Sequence, residues 1–164
     1  MVKYLMLALA LVAPCWADTV EVLGFGFETP LELSQPEELS SSTRSFGFPA
    51  DKPYKEAEFE LVVHLISAQQ IKAMEGIDPV EVAITNFLGI TSKPIEINKA
   101  LFLGKTAADQ VYETNIPRKC RVHVLSGALP DGGRVMLAFR VFDGQHFGDF
   151  FRVVKTSFAP LPKE

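Results

Sequence analysis

The sequence predicts an α+β fold, a central and mostly antiparallel β-sheet flanked by helices. Several runs alternate apolar and polar residues with period two and are joined by short turn sequences, the pattern of hairpin-linked strands. Two further segments repeat their apolar residues at spacings of three and four, the stripe of a helix that lies on a sheet. The chain has 164 residues, 48% of them hydrophobic, which suits one packed core and not two.

The elements follow in order. Val20 to Phe27 is rich in β-branched and aromatic residues and reads as a strand in which Gly24 and Gly26 mark a bend or bulge, ended by Pro30. Ser34 to Glu56 carries Pro36, Pro49, Pro53 and the run Ser40-Ser41-Ser42, so an irregular connection is expected, with a short strand at Arg44 to Phe48. In Glu58 to Ile66, Phe59, Leu61, Val63 and Leu65 point one way and Glu58, Glu60 and His64 the other, a strand with one dry face. A short helical piece follows at Ser67 to Glu75, stopped by Gly76.

Asp78-Pro79 then supplies a cap and a first-turn residue. Val80, Ala83, Ile84, Phe87 and Leu88 form the stripe of a three-turn helix before Gly89. Lys93 to Leu103, Ala107 to Ile116 and Arg118 to Leu129 read as three more strands. Pro130-Asp131-Gly132-Gly133 is a turn whose two glycines accept positive φ. The return strand puts Val135, Leu137, Phe139 and Val141 on one side, with Arg134, Met136, Ala138 and Arg140 on the other. Asp143-Gly144 opens a last helix striped by Phe147, Phe150, Phe151, Val154 and Phe158, and Pro160 closes it.

Residues 1–17 read as a secretory signal peptide: Lys3, an apolar stretch from Tyr4 to Ala13, Pro14, and cleavage after Ala17. Residues 18–164 form the one expected globular domain, periplasmic or secreted. The rival is a lipoprotein acylated at Cys15, which Pro14 fits poorly. No other apolar stretch is long enough to span a bilayer. Sixteen Lys and Arg against twenty Asp and Glu leave a formal charge of −4, so nucleic acid is not an expected partner. Two cysteines exclude a disulfide scaffold, and after cleavage Cys120 is the lone thiol.

The strand Phe25-Gly26-Phe27-Glu28-Thr29-Pro30, the helix from Asp78 to Leu88, the step Gly104-Lys105-Thr106-Ala107, the turn Pro130-Asp131-Gly132-Gly133 and the close Thr156-Ser157-Phe158-Ala159-Pro160 resemble the PsbP-like superfamily, which has small exported bacterial members. The resemblance covers most of the chain after the leader. It implies an α/β/α sandwich and a role in docking on other proteins without chemistry of its own. No functional residue carries over.

The candidate chemistry is sparse. His64, His123 and His146 are possible metal ligands, but strand alternation puts His64 beside Glu60 and His123 beside Arg121 on polar faces, where solvated imidazoles are expected. Asp143, His146 and Asp149, spaced at three, would project from one side of the last helix; the simpler expectation is that Asp143 caps it and Asp149 pairs with Arg152. Ser126 lacks the Gly-x-Ser-x-Gly elbow of a hydrolase nucleophile, Val124 standing at the first glycine position, and Gly24-x-Gly26 lacks the rest of a dinucleotide loop. Cys120 lies between Lys119 and Arg121, which would favour its thiolate if all three were exposed; an inert buried thiol is the commoner case. Arg118, Lys119 and Arg121 form a small basic cluster that a solvated loop explains. Thirteen Phe are expected mostly in packing, and any exposed together would mark a docking site.

No catalytic residue, cofactor site or metal site is therefore assigned, and the protein is not expected to be an enzyme. The expected function is that of an exported envelope module that binds a protein partner. A carrier of a small apolar ligand or lipid between sheet and helix is the first alternative, and a hydrolase with scattered catalytic groups the second.

Overall fold

The computed structural model describes residues 18–52 and 56–162; the expected signal peptide, its cleavage site and Cys15 lie outside them. The fold is α+β. Its frame is a seven-stranded, wholly antiparallel sheet made of β3 (Glu37–Ser40), β4 (Thr43–Phe48), β5 (Phe59–Ile66), β6 (Glu96–Phe102), β7 (Lys105–Thr114), β8 (Cys120–Ala128) and β9 (Arg134–Val141), in the order β3-β4-β5-β9-β8-β7-β6. Strands β1 (Asp18–Val22), β2 (Phe25–Thr29) and β10 (Ala159–Pro160) form a second, three-stranded sheet.

Helices α1 (Ala68–Ala73) and α2 (Pro79–Leu88) cover one face of the large sheet. Helix α3 (Phe147–Ser157) and the small sheet cover the other. This two-sided cover corrects the expectation of a strand with one dry face. In β5, Phe59, Leu61 and Val63 pack towards α3, while Val62 and Ile66 pack under α2. The second face therefore carries apolar residues between its polar ones, and Glu60 and His64 are buried along with them. On β9, Met136 and Ala138 do the same between Arg134 and Arg140.

Local chemistry explains the helices. Ser67 accepts from the Gln70 N–H at 3.1 Å while the Gln70 side chain accepts from the Ser67 N–H at 2.8 Å, a reciprocal box that starts α1. Asp78 accepts from the Val80 N–H at 2.9 Å with Pro79 in the first turn, and Gly89 ends α2 in the left-handed region, as the spacing predicts. Helix α3 begins later than expected. Its N-cap is His146, and Asp143 instead accepts from the Gln145 N–H ahead of the helix, so Asp143 is not the cap.

Three turns also differ from expectation. Val20 to Phe27 is not one bent strand: Leu23 (φ 52°) and Gly24 (φ 81°) make a two-residue hairpin turn between β1 and β2. Leu103 (φ 50°) and Gly104 (φ 70°) make the same turn between β6 and β7. Both leucines pack against the core, which compensates a conformation that costs a residue with a Cβ about 1–2 kcal/mol. In the β8–β9 turn only Gly132 has positive φ; Gly133 is required for a different reason, since a Cβ there would lie 2.9 Å from the Ile66 carbonyl oxygen. In the stretch from Ser34 to Glu56, β4 stands where the short strand at Arg44 to Phe48 is expected, and the unexpected addition is β3, paired to it with Ser41 and Ser42 at the hairpin turn.

The core beneath α3 is aromatic. Phe150 stacks on Phe59 with centroids 4.4 Å apart, Phe139 meets Phe151 edge-on at 5.0 Å, and Phe158 stacks on Phe25 at 5.0 Å. Such pairs add about 0.5–1.5 kcal/mol each beyond area burial. Eight of the thirteen Phe are fully buried (Phe25, Phe27, Phe46, Phe59, Phe102, Phe139, Phe150 and Phe158), and the other five are half-buried. The exposed apolar residues are aliphatic instead.

Candidate functional site

The polar groups under α2 form two connected sets. In the first, Arg140 Nη1 donates to Glu60 Oε2 at 2.7 Å, the Ser45 hydroxyl donates to Glu60 Oε1 at 2.6 Å, and Arg140 Nη2 donates to the Phe87 carbonyl at 3.2 Å. Glu60 and Arg140 are 3% and 8% exposed, so this ion pair ties β4, β5 and β9 to α2 in a water-poor layer.

The second set surrounds His64. Its Nδ1 lies 2.8 Å from the Thr43 hydroxyl, which accepts from the Ser40 hydroxyl at 2.8 Å. The imidazole is 5% exposed, and its ring lies 4.4 Å from that of Phe87. Burial holds its pKa below the ordinary histidine value, partly offset by the Ser42 carbonyl. The ring borders an open cleft of about 320 Å³ between the β3–β4 turn, α1 and α2, also lined by Ser40, Ser42, Gln70, Met74 and Asn86. Thr43, the hydroxyl beside the imidazole, is fully buried and out of a substrate's reach.

His64 and His123 are thus not the solvated imidazoles expected, whereas His146 is exposed. His123 lies on the opposite face of the sheet from His64, between Phe147 and Phe151 at 5.1 and 5.2 Å, with Nδ1 3.1 Å from both carboxylate oxygens of buried Asp109. His146 pairs with Glu58 at 2.8 Å. Asp143 and His146 precede α3 and only Asp149 lies on it, so the three do not share a helix side; Asp149 pairs with Arg152 at 3.0 Å. Among the described residues no group of three His, Cys, Asp or Glu could hold a metal ion.

The remaining candidates are also separated. Ser126 and His123 fall on opposite faces of β8, and Asp131 holds the Gly133 N–H in the turn at 2.8 Å. Cys120 faces the α2 side and is buried, whereas Arg121 points the other way and pairs with Glu96 at 2.6 Å. Burial pushes the Cys120 thiol up, and the Arg140 and Arg118 cations offset this only in part. Arg118 donates to the Ala57 carbonyl and lies 4.1 Å over the Phe142 ring, so the basic cluster is partly internal bracing.

The sequence reading missed one surface. Strand β6 ends the large sheet, and its outer edge pairs with no described strand. Ile95, Ile97 and Leu101 are 52%, 66% and 56% exposed there, with Lys99 between the last two. The signal in the sequence is the alternation Ile95, Ile97, Lys99, Leu101.

No family model matches the chain, and no curated protein does. Among solved structures it is similar to a protein of Bacteroides thetaiotaomicron VPI-5482 determined at 1.50 Å resolution, with a TM-score of 0.53 and 10% identity. The match covers 85% of this chain and 46% of that one, so this chain spans about half of its length. At that identity the likeness is one of fold.

Proposed function

We propose that the protein is a non-catalytic accessory module of the cell envelope that holds a protein partner along β6, and that its fold is the PsbP-like α/β/α sandwich. The sandwich reading is supported by helices on both faces of the sheet. The carrying observation for the role is the β6 edge, where exposed Ile95, Ile97 and Leu101 accompany a row of backbone groups open to strand addition. The partner presents an extended apolar segment that pairs as an eighth strand.

A carrier would need room between sheet and helix, and the aromatic rings are instead packed against one another there. A hydrolase would need an accessible nucleophile beside its base, and Thr43 is sealed. The module acts outside the cytoplasm after cleavage near Ala17; the intact mass of exported protein tests this, and a diacylglycerol adduct on Cys15 would overturn it.

A photocrosslinker at Ile97 tests the docking edge in the protein's own envelope. A discrete adduct should form and should be lost with Leu101→Glu at unchanged melting temperature. An adduct that is indifferent to Leu101→Glu would refute docking at this edge.

A further inference from the structure

We infer, on the reading that β6 is the docking edge, that the strand it accepts carries a carboxylate between two apolar side chains, all three on one face. The two-residue turn Leu103-Gly104 closes Phe102 and Lys105 as a hydrogen-bonded pair of the β6–β7 hairpin. Alternation from that pair turns the N–H and C=O groups of Ala100, Asn98 and Glu96 towards β7 and leaves those of Ile97, Lys99 and Leu101 open at the edge. The side chains of the same three residues are exposed together on one face, away from the α3 core that takes Ala100 and Phe102. An added strand therefore meets an apolar, a cationic and an apolar position in that order.

The cation has no counter-charge. Lys99 makes no ion pair with any described residue, and its neighbours across β7, Ala108 directly opposite with Thr106 and Gln110 on the diagonals, are uncharged. Glu96, the one carboxylate of β6, lies on the other face and is held by Arg121 at 2.6 Å. A second copy of this chain does not supply the charge either. Two β6 strands paired antiparallel about a two-fold axis set residues of the same face opposite one another, so Lys99 would meet Ile95, Ile97, Lys99 or Leu101 and never a carboxylate. Lysines on edge strands guard sheets against such self-pairing. A foreign strand with Asp or Glu opposite Lys99, and aliphatic residues opposite Ile97 and Leu101, satisfies all three positions, because opposite-charge and apolar cross-strand pairs favour pairing and like charges oppose it.

The test uses fluorescein-labelled peptides with the core Val-Thr-Glu-Thr-Val, or with Gln or Lys in place of the Glu, read by anisotropy against the purified protein. The Glu peptide should bind with Kd on the order of 0.1 mM, the Gln peptide about threefold and the Lys peptide about tenfold more weakly at low salt. Lys99→Glu, a change at an exposed position, should invert that order so that the Lys peptide binds best, whereas a merely structural role for Lys99 would weaken all three alike. Equal affinity of the three peptides, an order unchanged by Lys99→Glu, no binding of any peptide up to about 1 mM, or a dimer of this chain that Ile97→Glu dissolves would each overturn the inference. The docking edge itself is judged separately by the Ile97 crosslink: an adduct lost with Leu101→Glu but indifferent to Lys99→Glu keeps the edge and refutes its preference for a carboxylate.

Discussion

Arg140→Met removes one half of the ion pair under α2 while nearly keeping the side chain's length. Glu60 Oε2 loses its donor at 2.7 Å, and the Phe87 carbonyl loses another at 3.2 Å. Both charged residues are buried, so water has little access to replace those bonds. Removing one partner of such a pair costs about 3–5 kcal/mol. At about 2–4 °C per kcal/mol for a domain of this size, the melting temperature should fall by about 6–20 °C. Replacing both partners, Glu60→Leu with Arg140→Met, should recover most of the loss, because no uncompensated charge is left inside. Urea denaturation of the wild type, both single variants and the double variant yields the coupling energy. A loss below about 1 kcal/mol for Arg140→Met would show that Glu60 is hydrated in the native state and would refute the account of this layer.

Three further outcomes are expected. Phe150→Ala empties the space between Phe59 and Phe139 and should cost about 3–5 kcal/mol in the same assay. Burial lowers the folded pKa of His64, so below pH about 6.5 the unfolded chain takes up a proton that the folded one refuses. His64 thus contributes stability that is full above that pH and is lost as pH falls towards the folded pKa, with a slope no steeper than about 1.4 kcal/mol per pH unit; denaturation midpoints across pH should show this component absent in His64→Gln. Cys120 should resist iodoacetamide in the native protein and react rapidly in urea, and fast native alkylation would contradict its burial.

The legible parts of the fold were those whose cause is local. The Asp78-Pro79 start and Gly89 stop of α2 follow from capping chemistry within a few residues, and β5 and β9 follow from alternation. What alternation does not report is whether the second face is covered. Glu60, His64 and Arg140 look like solvent-facing positions in a strand read alone, and only α2, folded back across β5 and β9, buries them. The site around His64 was hidden for a related reason. Its partners Thr43 and Ser40 belong to a hairpin whose serines resemble a loop in sequence, because its strand character comes from pairing with β5. Likewise, a Leu before Gly24 or Gly104 carries no hairpin signal of the Asn-Gly kind, since its left-handed backbone is held by packing.

The small sheet joins segments far apart in sequence: Ala159 and Pro160 pair with Gly26 and Phe25, and the Ser157 hydroxyl accepts from the Glu28 N–H 129 residues earlier. Phe158 closes over Phe25 and Phe27 in the same place. Until the segment from Ser157 to Pro160 is in place, Phe25 and Phe27 therefore lack the ring that covers them. Loss of Phe158 would reopen that seam between the two sheets, so the closing segment guards a seam made by the opening hairpin.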